Sequence, residues 1–421
     1  MKHVGRCVVA LASLALTLTT LTTTAQAATP PPPRPAPTAA TAPPAAPGRT
    51  CGRVEPGTRA YKEGAVKSCI EVRPGPARTA PKPLVPVTAC TGDKGYASTR
   101  HSYCLEATAD YTLYGKDAGT GAEVEIGKST MHIAQHASLD SRGASWKEQV
   151  EATVVQGTPT IGEMIFDFDA SCSGQCTLAN RRMRSNIGIG ETKTAAFTFQ
   201  TTVGSNAQTE IVPSYHLSAY STEENDPSGH HELDNRWNNP NTLRCDQAVS
   251  KDANTGCIVM GNMADVKISI AKYGAAAITY QWAQNTLIGG NFGTPGHTLI
   301  RFRDDDGKIR DRNRYQSCEA APNPFKPFLV TAEKDSCDEF PFAATAQGGT
   351  NGNLCSEIQP WFNSATGQWE VKLLRYPGPM VNCVRSHVPI SQNTGAGSEY
   401  GNAVLSERIL DGENFTVTIT G

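Results

Sequence analysis

Beyond its first residues the sequence has no apolar run long enough to cross a membrane, so no spanning segment is expected in the mature chain. It has no Gly-x-Ser-x-Gly, no His-Glu-x-x-His and no phosphate-cradling Gly-rich loop. That argues against serine hydrolases, zincins and nucleotide-binding folds. It also lacks charge of one sign: the formal net charge is −2, which gives no global attraction to nucleic acid. Any DNA binding must come from a local basic patch.

What is present at the start is a leader. Lys2, His3 and Arg6 precede the apolar run CVVALASLALTLTTLT (7–22), and Ala25-Gln26-Ala27 supplies a small-x-small cleavage pattern. Residues 1–27 are read as a signal peptide and the mature protein as secreted. Of the 13 cysteines only Cys7 lies in the leader. The remaining even set reads as a disulfide framework, as expected for an exported chain. Taken in sequence order these cysteines fall into local pairs, among them Cys318 with Cys337. Zinc at Cys172-x3-Cys176 is the rival, but no Cys/His partner follows at finger spacing.

The length suggests two domains. Residues 28–89 are a Pro-rich linker and irregular segment, with Cys51 and Cys69 tying a small loop. From 90 to 240, segments such as CLEATADYTLY (104–114) and TAAFTFQTTV (194–203) alternate and are rich in Thr, Val, Tyr and Phe. They predict a mostly β, sandwich-like domain, whose partner would be a cell surface or another protein. Residues 243–421 are mixed: strands at 266–271, 338–343, 369–377, 384–390 and 414–420, a helix at 275–284, and a second at 398–410 capped by Ser398. The fold class is therefore α+β.

Three groups in this last segment carry possible chemistry. Asp338 and Glu339 are adjacent carboxylates beside Cys337; on a regular strand they face opposite sides, so they share one cation or one water only if the chain is bulged or turned there. A solvent-facing acidic turn is the plainer alternative. Glu399, Asn402 and Ser406 fall near one helix face with Glu407 beside it, and Asn and Glu oxygens suit magnesium or manganese. Taken alone, these residues are better explained by an ordinary amphipathic helix with its polar side chains in water. Arg301, Arg303, Arg310, Arg312 and Arg314 alternate in RFRDDDGKIRDRNRYQSC (301–318) and suit phosphate. Asp304, Asp305, Asp306 and Asp311 dilute that charge, and the spacing does not fit an EF-hand. His230-His231-Glu232 reads as a solvated loop, and His297 and His387 as structural.

Cys337-Asp338-Glu339-Phe340-Pro341-Phe342-Ala343, the run Asn393-Thr394-Gly395-Ala396-Gly397-Ser398 followed by Gly401-Asn402, and Glu407-Arg408-Ile409-Leu410-Asp411-Gly412 occur in that order. Together they resemble the NucA/NucB family of secreted bacterial deoxyribonucleases over roughly 260–421. The resemblance implies a strand-strand-helix metal-dependent nuclease that cuts DNA with little sequence preference, using one divalent cation, magnesium or manganese. It implies Asp338 as general base, Glu339 assisting at the metal, and Asn402 or Glu407 as the helix ligand. One departure is Ala346-Gln347 before Gly348-Gly349, where short members tend to carry an acid. That departure leaves room for the alternative of a disulfide-rich extracellular binding protein with an inactive nuclease-like domain.

Overall fold

The computed structural model describes residues 48–75, 90, 95–224, 233–328, 333–378 and 380–421. The expected leader (1–27), the linker through residue 47 and His230-His231-Glu232 lie outside these residues.

The alternating segments do form strands, because every second side chain is apolar and finds a second sheet to cover it. One antiparallel sheet runs through Arg49–Arg53, Ala65–Pro74, Ser102–Lys116, Glu123–Ser138, Ser145–Gly157, Thr192–Thr201 and Cys176–Ala179. A second contains Asp234–Asn238, Pro213–Ser221, Glu163–Cys172 and Arg182–Gly188. Phe168 of the second sheet stacks on Phe197 of the first with ring centres 5.9 Å apart. Glu148, fully buried between the sheets, accepts hydrogen bonds from the Tyr103 and Tyr215 hydroxyls at 2.6 Å and from the Gln135 amide at 2.9 Å.

Two expectations need correcting here. Residues 49–74 are not irregular: the Cys51–Cys69 disulfide lies directly across a strand pair, and Ile70 and Val72 join the sandwich core. The strands Leu243–Asp246 and Gly256–Val259 pair with Gln208–Ile211 and pack in that same core, although the sequence places them with the last segment.

A second core is built from mixed elements. Ala264–Ser269, Asn414–Thr420 and Leu299–Ile300 form one small sheet, and Asp335–Phe340, Val384–Pro389, Ser356–Asn363 and Gln368–Arg375 form another, with Asp335–Phe340 at its edge. The helices Ile270–Thr286 and Ile390–Ser406 pack against them. Buried Ala275, Ala276 and Ala277 let the first helix lie close to its neighbours. This helix breaks at Gly274 (φ 37°), where an added Cβ would sit 2.7 Å from Gln392 Oε1 and 2.9 Å from the Trp369 ring. Gln392 Oε1 accepts the Ala275 N–H at 2.7 Å and so caps the second half. The last helix begins at Ile390, not near Ser398; Ser398 lies inside it with its hydroxyl donating to Thr394 O at 2.8 Å. Apolar side chains at Ala396, Tyr400, Ala403 and Val404 supply the helical spacing that extends it.

The two cores meet across a buried ionic cluster. Arg408 donates to Asp246 Oδ1 at 2.6 Å and to Ser141 O at 2.6 Å, and Asp246 is completely buried. Arg100 donates to Glu413 Oε1 at 2.6 Å and to Glu407 O at 2.6 Å.

All six disulfides join cysteines consecutive in sequence, Cys318–Cys337 included. Cys172 and Cys176 are thus bonded to each other, which removes the zinc reading of that pair. No helix among the described residues is long and apolar enough to cross a membrane.

Candidate active site

An open cleft of about 1020 Å³ follows the edge strand Asp335–Phe340. Because the strand is at the edge, side chains from both of its faces reach the same cleft. Asp338 and Glu339 therefore line one site although they are sequence neighbours, and they are only 4% and 7% exposed. The plain solvent-facing turn does not describe them.

The two carboxylates have different surroundings. Asp338 Oδ1 accepts a hydrogen bond from the Tyr280 hydroxyl at 3.1 Å, while its Oδ2 is buried with no hydrogen-bond partner. Burial, then the negative charge of Glu339, push the Asp338 carboxyl well above its ordinary value, against the opposing pull of Tyr280 and Arg314. Burial also raises Glu339, and the Arg314 guanidinium opposes it. Arg314 Nε lies 3.6 Å from Glu339 Oε1, with the Arg314 side chain half exposed.

Cys318 Sγ, Cys337 Sγ and a Glu339 oxygen lie within 4.8 Å of one another. Both sulfurs are committed to a disulfide and offer no thiolate, so this group is not a thiolate metal site. The disulfide instead fixes the segment after Arg314 against the strand. Buried hard oxygens, one of them unpartnered, are the donor type that a divalent cation takes, and a cation would supply the positive charge that two adjacent carboxylates lack.

The arginines separate. Asp304 accepts the N–H groups of Ile309 (3.2 Å) and Arg310 (2.7 Å) and so starts the helix Lys308–Arg314. On a helix, residues four apart share a face while those two apart do not. Arg310 and Arg314 line the cleft; Arg312 is exposed and outside it. The alternation expected of a strand is thus replaced by helical spacing. Arg301 borders the cleft, but its side chain is buried and donates to Ile409 O and to Val249 O, the latter at 2.7 Å. Arg303 turns away to Asp305 (2.6 Å) and Asn206 (2.9 Å).

The expected helix ligands also lie elsewhere. Asn402 is exposed and does not line the cleft. Glu407 caps the helix and accepts from His101 at 3.1 Å, with Arg100 at 3.6 Å, on the side of the β-rich core. Glu399 accepts from the Tyr273 hydroxyl at 2.6 Å. The face that does border the cleft carries Asn393, Gly397 and Gly401, four residues apart. Asn393 donates from Nδ2 to Cys337 O at 2.9 Å and to Ser336 Oγ at 3.2 Å, which leaves its Oδ1 uncommitted. Asn393 opens the run Asn393–Ser398 singled out in the sequence, but a helix start placed at Ser398 left it without a role.

His387 is fully buried behind the strand, with Nδ1 2.8 Å from Asp335 Oδ2 and Nε2 3.2 Å from Glu357 Oε1. Glu357 also takes a 2.6 Å hydrogen bond from Arg385. It is held down to about 2, by the His387 hydrogen bond first and then by Arg385. His297 donates or accepts at 2.8 Å with Asn291 and lies outside the cleft.

The cleft thus brings together paired buried carboxylates and two arginines, Arg310 and Arg314, a combination suited to an anionic ligand. Residues 288–375 match the family model Deoxyribonuclease NucA/NucB. The match contains Asp338, Glu339, Arg310 and Arg314, and it stops short of the helix with Asn393 and Asn402. No curated protein and no solved structure matches the chain.

Proposed function

We propose that the protein is a secreted nuclease that hydrolyses phosphodiester bonds of DNA, with one divalent cation, magnesium or manganese, and little sequence preference. The observation that carries this is the Asp338–Glu339 pair, buried in an open cleft inside the matched region, with Asp338 Oδ2 lacking a partner. The order of an antiparallel strand pair, Asp335–Phe340 and Val384–Pro389, followed directly by the helix Ile390–Ser406, supports the strand-strand-helix reading. The six disulfides support export to an oxidising compartment.

Asp338 is the general base. Tyr280 holds Oδ1, so Oδ2 is the oxygen that takes the proton of the attacking water. A carboxyl raised toward neutrality is a stronger base than an exposed one. Glu339 is a ligand oxygen for the cation, and Asn393, in place of Asn402 or Glu407, is its helix counterpart. A bound cation supplies Lewis-acid polarisation of the scissile phosphate and charge neutralisation at the leaving oxygen. Arg310 and Arg314 hold phosphate through their guanidinium forks; such contacts read no bases, which accounts for low sequence preference.

The Ala346-Gln347 departure does not weaken this reading. Neither residue borders the cleft, and Gln347 Oε1 accepts the Ile300 N–H at 3.1 Å, a structural task. The test is nicking of supercoiled plasmid by the full chain with magnesium or manganese, with and without chelator. Chelator-sensitive conversion to open circles is expected. No cleavage under any metal would instead leave a binding protein.

A further inference from the structure

Contacts on both walls fix the order of residues along the cleft. On one wall Arg314 reaches Glu339, Cys318 is bonded to Cys337, and the Phe328 N–H donates to Asp335 Oδ2 at 2.9 Å. On the other, the Ile390 N–H donates to Lys334 O at 3.0 Å, Asn393 donates to Cys337 O, and the Tyr400 hydroxyl donates to Ala344 O at 3.4 Å. Both walls run parallel to the edge strand. Lys334 and Arg314 are consequently at opposite ends, with Asp338 and Glu339 between them.

The Lys334 end has its own character. Lys334, Phe325, Pro327 and Ile390 all line the cleft there. Lys334 is exposed, and its ammonium has no carboxylate partner among the described residues. The neighbouring acid, Glu333, accepts the Ser391 N–H at 3.1 Å. Phe325 lies against the His387 ring, centres 4.3 Å apart and planes 30° apart, and His387 is in turn held by Asp335 and Glu357. The aromatic plane is thus fixed in advance in the same cleft as a lysine that has no carboxylate partner among the described residues.

We propose that Lys334 and Phe325 form a second nucleotide subsite, which takes one unpaired nucleotide of the DNA strand on the far side of Asp338 and Glu339 from Arg310 and Arg314. The proposal rests on the nuclease reading above. Lys334 is four strand residues from Asp338, about 13 Å at ~3.3 Å per residue, so the phosphate it meets is not the scissile one. A lysine and an aromatic face together are what single-stranded nucleic acid uses, phosphate on the cation and base on the ring. A base still paired and stacked in a duplex does not offer its face to Phe325, so the subsite favours single-stranded or locally opened DNA.

The experiment uses the full chain and a fluorescein-labelled single-stranded oligonucleotide, beside a hairpin duplex of the same composition. Cleavage gives kcat and KM in magnesium or manganese; anisotropy in chelator gives affinity against salt. For Lys334→Gln we expect KM for the single strand to rise about tenfold with kcat within about twofold. The slope of log affinity against log salt should fall by about 0.7, the share of one phosphate on a single strand. Phe325→Leu should raise KM for the single strand and leave the salt slope unchanged. Lys326→Gln, the same charge change at an exposed position outside the cleft, should match wild type. Wild-type protein that neither binds nor cuts any DNA would remove the nuclease reading itself. Wild-type activity with an unchanged KM and salt slope in Lys334→Gln would overturn the subsite alone. Equal KM for strand and hairpin, with no effect of Phe325→Leu, would overturn the unpaired base.

Discussion

The Tyr280 hydroxyl donates to Asp338 Oδ1 at 3.1 Å and leaves Oδ2 of the same carboxylate buried and unpartnered. One oxygen is thereby anchored, and in the proposed mechanism the other is the base. Tyr280 comes from the helix that breaks at Gly274, and its ring packs on Phe340 (5.3 Å) and Phe342 (5.1 Å), so the hydroxyl has little freedom to move.

Asp338→Asn should abolish most cleavage, because loss of a general base costs about 10²–10⁴-fold in rate. The volume is kept, so the melting temperature should change little. Asp335→Asn, although it shares the acidic context, is unsuitable as a control: Asp335 is 5% exposed and bonded to buried His387. Exposed Asp252, outside the cleft, is the better control as Asp252→Asn. Plasmid nicking beside thermal melting checks both, and full activity in Asp338→Asn would move the base to Glu339.

Tyr280→Phe should lower kcat and leave KM near wild type, since the hydroxyl orients the base and does not meet the substrate. One hydrogen bond to a charged group is worth about 1.5–3 kcal/mol, or roughly 10- to 150-fold. A change in KM alone, measured by steady-state kinetics, would contradict that role.

Acid stability should depend on Glu357. Its folded value of about 2 lies below the ordinary 4.5, so its contribution is complete above about 4.5 and is lost as pH falls toward about 2. Glu148 has the opposite sign: burial raises it, so its contribution is present in acid and declines as pH rises past the ordinary carboxylate range. Melting temperature against pH should therefore lose its steep acid limb in Glu357→Gln. A limb of the same slope in that variant would assign it to other carboxylates.

Arg408→Ala should destabilise the full chain by about 3–5 kcal/mol, because it strips the buried Asp246 carboxylate of a close partner. Denaturant melts would show it. The same contacts bear on an excised fragment 243–421, the bounds that the sequence suggests for the last domain. It would expose Leu243 and Val259, both buried in the sandwich core. We expect it to be less soluble and less stable than the full chain; equal stability would establish the fragment as an independent domain.

Sequence alone settled what depends on local composition. Alternating Thr, Val and aromatic residues specified the strands of residues 102–221, because a period of two has one way to bury its apolar face. Local order of the cysteines suggested the pairing that the structure shows, but did not prove it. The motif around Asp338 pointed to the carboxylates themselves. What the sequence did not carry was direction and distance. Asp338 and Glu339 share a cleft because their strand lies at a sheet edge, a property of the pairing of Asp335–Phe340 with Val384–Pro389 alone. Arg310 and Arg314 were separated from Arg301 and Arg303 by a helix that Asp304 starts through two backbone N–H groups. Glu407, chemically apt as a metal ligand, went to the β-rich core because Arg100, some 300 residues earlier, was waiting there. Side-chain chemistry is written locally, but which oxygens converge is decided by long-range packing, and no spacing along the chain encodes it.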